Sequence, residues 1–521
     1  MGGTDIRSPW VASLFTQTRL SILLFLSVLL IYLVLPTSDY YWDGISFAQN
    51  IEDSRSLSPD LLHPNHLIYT PVGYLIHTGL AQIGFSLRSL DVLRMINSLL
   101  SALSSWVLFY ILLALTRSRY LSISLAVIFS FSGYWWKFST DANAYIPSVF
   151  FLLVTCYLLL PNRRVRPFLI ALLHVTAILF HQLAVFFYPA VLAALWQQSS
   201  QTPAKGRVLK LARYSLTALL ATSSIYYGGF LLRFGKADLV SFVSWMTSYS
   251  PEVSFSSDFL RNAAYSLRGH HRLFFKLRIR IFREIADPLA YMVAFVLLIA
   301  VVVFFYKLVI HRRQLKSILV TTFNRKWWTA PPLPAVVLWL GSYLIFLFFW
   351  LPQNTFYRMF YLPAILLLLG VLLSDQQRKR TYTTAVFAAV VFLWNLAFSA
   401  LPDTNPRVNP PLQFAQEMGS EFGVGDTVYY AIFNTDDWMI RYFNPQTVWK
   451  PIEMDHLAGI EGELDDLYRD NKRAWLDTTA VDQIESAGGN YQEWLDHHAQ
   501  PGAHYELIKP GYRIRFLKLV P

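Results

Sequence analysis

Residues Leu20 to Gly44 read LSILLFLSVLLIYLVLPTSDYYWDG, and the change of character along this stretch decides the fold. Leu20 to Pro36 carries no charge and approaches the ~20 apolar residues that a helix needs to cross a bilayer. Arg7 and Arg19 precede it, as in a signal peptide, but the run is long and no small-x-small cleavage site follows, so it reads as a retained anchor. Directly beyond it comes Asp39-Tyr40-Tyr41-Trp42-Asp43-Gly44. Carboxylates beside a membrane are costly to ionise and need a reason to be there. The place suits a general base, and it equally suits a helix-start cap, because Asp before an amphipathic run is a good N-cap.

The apolar half of that pattern recurs. Hydrophobic residues make up 54% of the 521 and charged residues only 15%, too little polar material to cover a soluble globule of this size. Runs near 20 to 36, 94 to 115, 120 to 137, 145 to 160, 166 to 181, 184 to 197, 209 to 232, 287 to 310, 333 to 351, 359 to 374 and 381 to 401 predict a polytopic α-helical membrane protein with about eleven transmembrane helices. Basic clusters at Arg117/Arg119, Arg163/Arg164/Arg166, Lys205/Arg207/Lys210, Arg312/Arg313/Lys316 and Arg378/Lys379/Arg380 fall in alternate loops. Positive-inside topology makes that side cytoplasmic. The N-terminus is then inside, and the first loop 37–93, the loop 233–286 and the tail 402–521 are outside, as expected of a multi-pass protein of the inner (plasma) membrane.

Charge is unevenly shared: residues 402–521 hold 19 of the 33 acids and 10 of the 44 Lys and Arg, leaving 34 bases and 14 acids in 1–401. Bases between apolar spans are what topology requires, so the excess is no argument for nucleic acid. The one cysteine, Cys156, rules out an intrachain disulfide and a cysteine metal cluster. Two outer stretches are expected on the membrane surface. Tyr69 to Phe85, interrupted by Pro71, Gly73, His77, Gly79 and Gln82, reads as an interfacial helix. Residues 261 to 283 interleave seven Lys and Arg with apolar residues, a pattern that anionic head groups attract. The tail opens on prolines and reads as a small α/β domain: helices near 412 to 422, 436 to 443 and 453 to 473, strands near 427 to 433, 505 to 509 and 512 to 519. It shows no phosphate loop, nucleotide fingerprint or zinc spacing.

The first loop continues as Leu62-His63-Pro64-Asn65-His66-Leu67-Ile68-Tyr69. An acid just beyond the first span, followed by a His-Pro element leading into aromatics, resembles the C superfamily of membrane glycosyltransferases (GT-C), above all the bacterial protein O-mannosyltransferase-like group. Three later elements fall in the same order: Asp141-Ala142-Asn143-Ala144-Tyr145, similar to that family's Glu-Val-Tyr element, then His181-Gln182, then Tyr357-Arg358-Met359-Phe360-Tyr361-Leu362-Pro363. The sequence departs from the pattern in having Asn65-His66 where the family prefers Pro-Gly, and in lacking the adjacent Asp-Glu pair of the eukaryotic members.

The resemblance implies a transmembrane catalytic domain over 1–401 that moves a sugar, mannose or another hexose, from a polyprenyl-phosphate donor to a protein, lipid or glycan acceptor. It implies a catalytic base in the first loop, Asp43 beside Gly44 or, in reserve, Asp39. Substrate-binding positions are expected at His63, His66, Tyr69, Asp141, Asn143, Tyr145, His181 and Arg358. The guanidinium of Arg358 suits phosphate oxygens, though long cations at helix ends also snorkel, and Asp141 and His181 could equally be a helix cap and a satisfied buried imidazole. No cofactor is expected, and no metal, although related oligosaccharyltransferases use one and the acids and histidines of these loops could gather around a divalent ion. The competing class is a transporter or lipid-linked glycan flippase, but such proteins show repeats and mid-span charges, and neither is evident here.

Overall fold

The computed structural model describes residues 9–161, 165–199, 203–235, 238–248, 255–277, 295, 299, 332–374, 378–406, 409–430, 436–451, 457–477, 491–509 and 512–521. The span expected at 287 to 310, apart from Phe295 and Ile299, lies outside them, as do Arg163, Arg164, Arg278, Arg280, Arg283, Arg312, Arg313 and Lys316. The chain forms two compact units, Met1–Thr37 with Asn50–Pro402, and Ser38–Gln49 with Asp403–Pro521.

The first unit is helical. It contains α1 (Pro9–Val34), the end of α2 (Trp42–Asp53), α3 (Tyr69–Gln82), α4 (Ser89–Thr116), α5 (Arg119–Phe131), α6 (Gly133–Ser139), α7 (Tyr145–Leu158), α8 (Pro167–Phe180) and α9 (Tyr188–Gln198). There follow α10 (Ala204–Phe234), α11 (Leu239–Thr247), α12 (Phe259–Phe274), α13 (Leu333–Trp350), α14 (Leu362–Ser374) and α15 (Arg378–Asn395). Among the described residues five helices are long and apolar enough to cross a membrane, α1, α4, α10, α13 and the run Thr381–Asp403, and α5, α7, α8 and α14 are shorter apolar helices. The expected run 120 to 137 is two helices. Ser132 turns its hydroxyl back onto the carbonyl of Ile128 at 2.6 Å, and a Cβ on Gly133 would come within 2.6 Å of the Lys276 backbone nitrogen. The chain can break there because only glycine allows so close an approach.

Small hydroxyl residues let the helices approach where larger side chains would hold them apart. Ser101 meets Ser139 at 2.5 Å, Ser130 donates to Ser105 at 2.8 Å, and Tyr32 of α1 donates to the carbonyl of Ser130 at 2.6 Å. Asn395 ends α15 as a staple, its amide nitrogen donating to the carbonyls of Phe131, Phe274 and Val391 and its oxygen accepting from Lys276 N–H. Buried amides with every group bonded fix one arrangement of the helices around them.

The second unit is an α/β domain with strands β1 (Thr427–Tyr430), β2 (Val448–Pro451), β3 (Ala474–Asp477), β4 (Ala499–Lys509) and β5 (Tyr512–Leu519). Their order is β2-β1-β3-β5-β4; β1 is parallel to β2 and β3, and β5 antiparallel to β3 and β4. Helices α16 (Pro410–Glu421), α17 (Asp436–Phe443), α18 (Leu457–Arg469) and α19 (Tyr491–His498) complete it. Tyr429, Leu464, Leu476, Leu495 and Leu519 share its core. The sequence pattern gives no sign of strands β2 and β3, which are four residues long and are joined to no neighbouring strand by a hairpin turn.

Candidate functional site

His63 and His181 are held by the same local device. Each sits in extended backbone before a short 3₁₀ turn, Pro64–His66 and Gln182–Phe187, and caps it. The His63 Nδ1 accepts from Asn65 N–H at 3.2 Å, and the His181 Nδ1 from Leu183 N–H at 3.1 Å. An accepting Nδ1 carries no proton, so in the neutral ring the proton is on Nε2. The turns are tied together by Gln182, whose amide donates to the carbonyl of Pro64 at 3.0 Å, and by Ile68 N–H to the carbonyl of Leu179.

His66 is buried between them, its ring centroid 5.3 Å from that of His63 and 4.8 Å from that of His181. Tyr145, the first residue of α7, lies 4.9 Å from His181 and 6.2 Å from His66. Phe356, Tyr357 and Phe360 close the nest, at 5.3, 5.8 and 6.4 Å from Tyr145. Burial, helped by the charge of Arg233, pushes His63 down to about 4; burial and its two neighbouring imidazoles hold His66 well below the usual range. The rings of His63 and His66 are therefore uncharged at neutral pH, and the nest offers aromatic faces and N–H donors without net charge.

The linkage has a definite sign. Between about pH 6.5 and 4 the unfolded chain takes up a proton at His63 that the folded chain refuses, so stability is complete above that window and falls as pH drops through it. His63→Gln is expected to flatten this part of the curve, read as the difference in Tm between pH 8 and pH 5 in detergent.

Below the nest lies a polar layer. Asn97 donates its amide to the carbonyls of Asp141 at 2.7 Å and Asn143 at 2.9 Å, and reaches the Tyr69 hydroxyl at 3.4 Å. Asn143 accepts from Tyr145 N–H and Ile146 N–H, satisfying the first turn of α7. The Asp141 carboxylate is fully buried; it pairs with Lys137 at 2.5 Å and accepts from Ala142 N–H. Both residues thus build the loop between α6 and α7. Removing one partner of a buried pair strands a charge, so Asp141→Asn is expected to cost ~3–5 kcal/mol and Asp141→Asn with Lys137→Met distinctly less, measured by denaturation of the purified proteins.

Arg358 does not face the imidazoles. In the 3₁₀ turn Phe356–Phe360 side chains three apart share a side: Tyr357 and Phe360 face the nest, while Arg358 and Tyr361 face α12. The guanidinium, 1% exposed, donates to the Tyr361 hydroxyl at 2.7 Å and the carbonyl of Pro352 at 2.6 Å. Since the carbonyl of Ser266 can only accept, His270 Nδ1 donates to it, and His270 Nε2 accepts a hydrogen bond from the Tyr361 hydroxyl at 2.9 Å. Burial and then Arg358 hold His270 below its ordinary pKa. Among the described residues no carboxylate pairs with Arg358.

Asp39 and Asp43 belong to the second unit, the other eight expected site residues to the first. Asp43 is half-buried in the first turn of α2. Asn97, Lys137 and His270 were not singled out from the sequence; a signal existed for Asn97, a polar residue within an apolar span. Among the described residues no three His, Cys, Asp or Glu are gathered to hold a metal ion.

The helical unit with its separate α/β unit has a fold shared with solved structures. Among solved structures, ArnT from Cupriavidus metallidurans is similar to it in two states. The apo state superposes with a TM-score of 0.59 at 11% identity, and the state bound to undecaprenyl phosphate with 0.57 at 10%, each over 95% of this chain and 97% of that one. The Archaeoglobus fulgidus oligosaccharyltransferase in complex with zinc and sulfate is more remote, with a TM-score of 0.45 at 11% identity over 95% of this chain and 73% of its own. No protein-family model and no curated protein matches the sequence.

Proposed function

We propose that this protein is a glycosyltransferase that takes a sugar, mannose or another hexose, from a polyprenyl-phosphate donor and passes it to a hydroxyl of a protein, lipid or glycan. The observation that carries this reading is Arg358: a buried guanidinium with neutral protein partners, in a fold shared with a protein crystallised with undecaprenyl phosphate. A buried cation is costly unless an anion joins it, and a phosphate oxygen accepts from a guanidinium fork.

In the proposed reaction the acceptor oxygen attacks the anomeric carbon while Asp43 takes its proton, and the bond from that carbon to the phosphate oxygen breaks. Negative charge accumulates on the departing polyprenyl phosphate, which Arg358 stabilises. The nest of His63, His66, Tyr145 and His181 packs against the other side of the turn that carries Arg358 and sets where its guanidinium stands. The basic loops support a cytoplasmic N-terminus for the membrane domain 1–401 and an extracytoplasmic tail. The test is loss of label from radiolabelled polyprenyl-phosphate sugars in membranes containing the protein; no donor consumed across a broad panel favours the transporter or flippase class instead. The reaction as proposed uses no divalent metal, so turnover is expected to be unchanged in excess EDTA. Inactivation reversed by added Mg²⁺ or Mn²⁺ would reverse that assignment.

A further inference from the structure

The segment that carries the candidate base packs with the C-terminal α/β unit although some 360 residues of sequence separate them. Contacts at Ser38 and Tyr40 help to hold it. Ser38 N–H donates to the carbonyl of Asp403 at 2.5 Å and the Ser38 hydroxyl to the carbonyl of Thr404 at 3.1 Å. The buried Asn409 amide donates to the carbonyl of Ser38 at 2.8 Å. The ring of Tyr40 stacks on Phe443, the last residue of α17, at 5.9 Å between centroids. These contacts fix both backbone polar groups of Ser38 and the side chain of Tyr40, directly before Asp39 and the turn that starts α2.

From this we infer that Asn409 and Phe443 are positioning residues for the first-loop carboxylate. The inference rests on the reading of Asp43 as the base. A base acts only within hydrogen-bond reach of its proton, and a displacement of about 1 Å costs on the order of 10²-fold in rate. The free loop would sample many placements of Asp43, and docking Ser38 and Tyr40 removes them. Such an effect falls on kcat, because donor binding does not need the base.

Asn409→Asp removes the donor while keeping the side chain's shape. Asn409 Oδ1 also accepts from Leu412 N–H at the start of α16, which a carboxylate preserves, whereas the donor to Ser38 is lost. Phe443→Ala removes the stack and Phe443→Trp keeps it. With donor turnover as the assay, Asn409→Asp and Phe443→Ala should each lower kcat about 10- to 100-fold, with KM for donor lipid within about twofold, and Phe443→Trp should restore most of it. Hydrogen exchange in the full-length protein gives a readout without catalysis: the peptide 38–49 should exchange more slowly in the wild type than in Asn409→Asp, while the sheet peptides of the C-terminal unit stay protected in both. The inference is overturned if both variants turn over like wild type while Asp43→Asn is dead, if kcat and KM fall together with loss of sheet protection, or if exchange in 38–49 does not change. If Asp43→Asn itself remains active, the base assignment fails and takes this inference with it.

Discussion

Asp43→Asn is expected to lose donor turnover by roughly 10²- to 10⁴-fold in kcat, the range that a positioned general base supplies, with KM for the donor lipid nearly unchanged. The substitution is nearly isosteric. Asp43 sits in the first turn of α2, where an amide oxygen can still accept backbone N–H bonds as a helix-start cap does, so a purely capping role predicts a protein that inserts, folds and turns over donor. The amide cannot accept the proton of an attacking hydroxyl. Asp39→Asn should lose far less if Asp43 is the base, and the two should exchange places if it is Asp39. The comparison is made on proteins inserted in equal amounts, by loss of label from polyprenyl-phosphate sugar. Full activity in both variants would remove the base from this loop.

That the chain is polytopic was legible in the sequence because apolar runs depend only on composition. The expected runs 20 to 36, 94 to 115, 145 to 160, 166 to 181, 209 to 232, 333 to 351, 359 to 374 and 381 to 401 all coincide with helices. What the runs could not convey is where a helix breaks against its neighbours, as at Gly133, because the cause is the Lys276 backbone more than a hundred residues away. The candidate site divides in the same manner. His63 and His181 were visible as imidazoles beside short apolar segments, and their approach to His66 needed tertiary structure to see. The pairing of Asp141 with Lys137 was in principle readable, since the two are four apart. The break between α6 and α7 hides it, because the acid lies in the loop and not on a helix face. Arg358 was singled out for its chemistry, but its direction depends on 3₁₀ rather than α-helical spacing across Phe356–Phe360. Three residues per turn put Tyr361 directly in line with it, where α-helical spacing would set the two about 60° apart.

Arg358→Gln is expected to move activity and stability in opposite directions. If the guanidinium is there for a phosphate, its loss removes a charge-assisted contact to the departing group, and truncating one partner of a buried charged pair costs about 2–5 kcal/mol, roughly 30- to 5,000-fold in kcat/KM. Without donor lipid, however, the wild-type protein carries a buried cation whose bonds go to a phenol and a backbone carbonyl. Its desolvation is incompletely offset, and Gln, which can still donate one bond, relieves it. Tm in detergent without donor should therefore be unchanged or higher in the variant, as for other residues kept for function at the expense of stability. Adding polyprenyl phosphate should raise Tm in the wild type and not in Arg358→Gln, because a ligand stabilises only the form that binds it. Gly269→Ala examines the same group from the other side: its Cβ would collide with Arg358 Nε, so the guanidinium must shift while its charge stays. A fall in kcat/KM there, with the lipid-dependent rise in Tm reduced but present, separates placement of the cation from its charge. If Arg358→Gln instead lowers Tm and activity in proportion, the arginine is holding α12 to the turn that carries it, and the phosphate must be met by another cation.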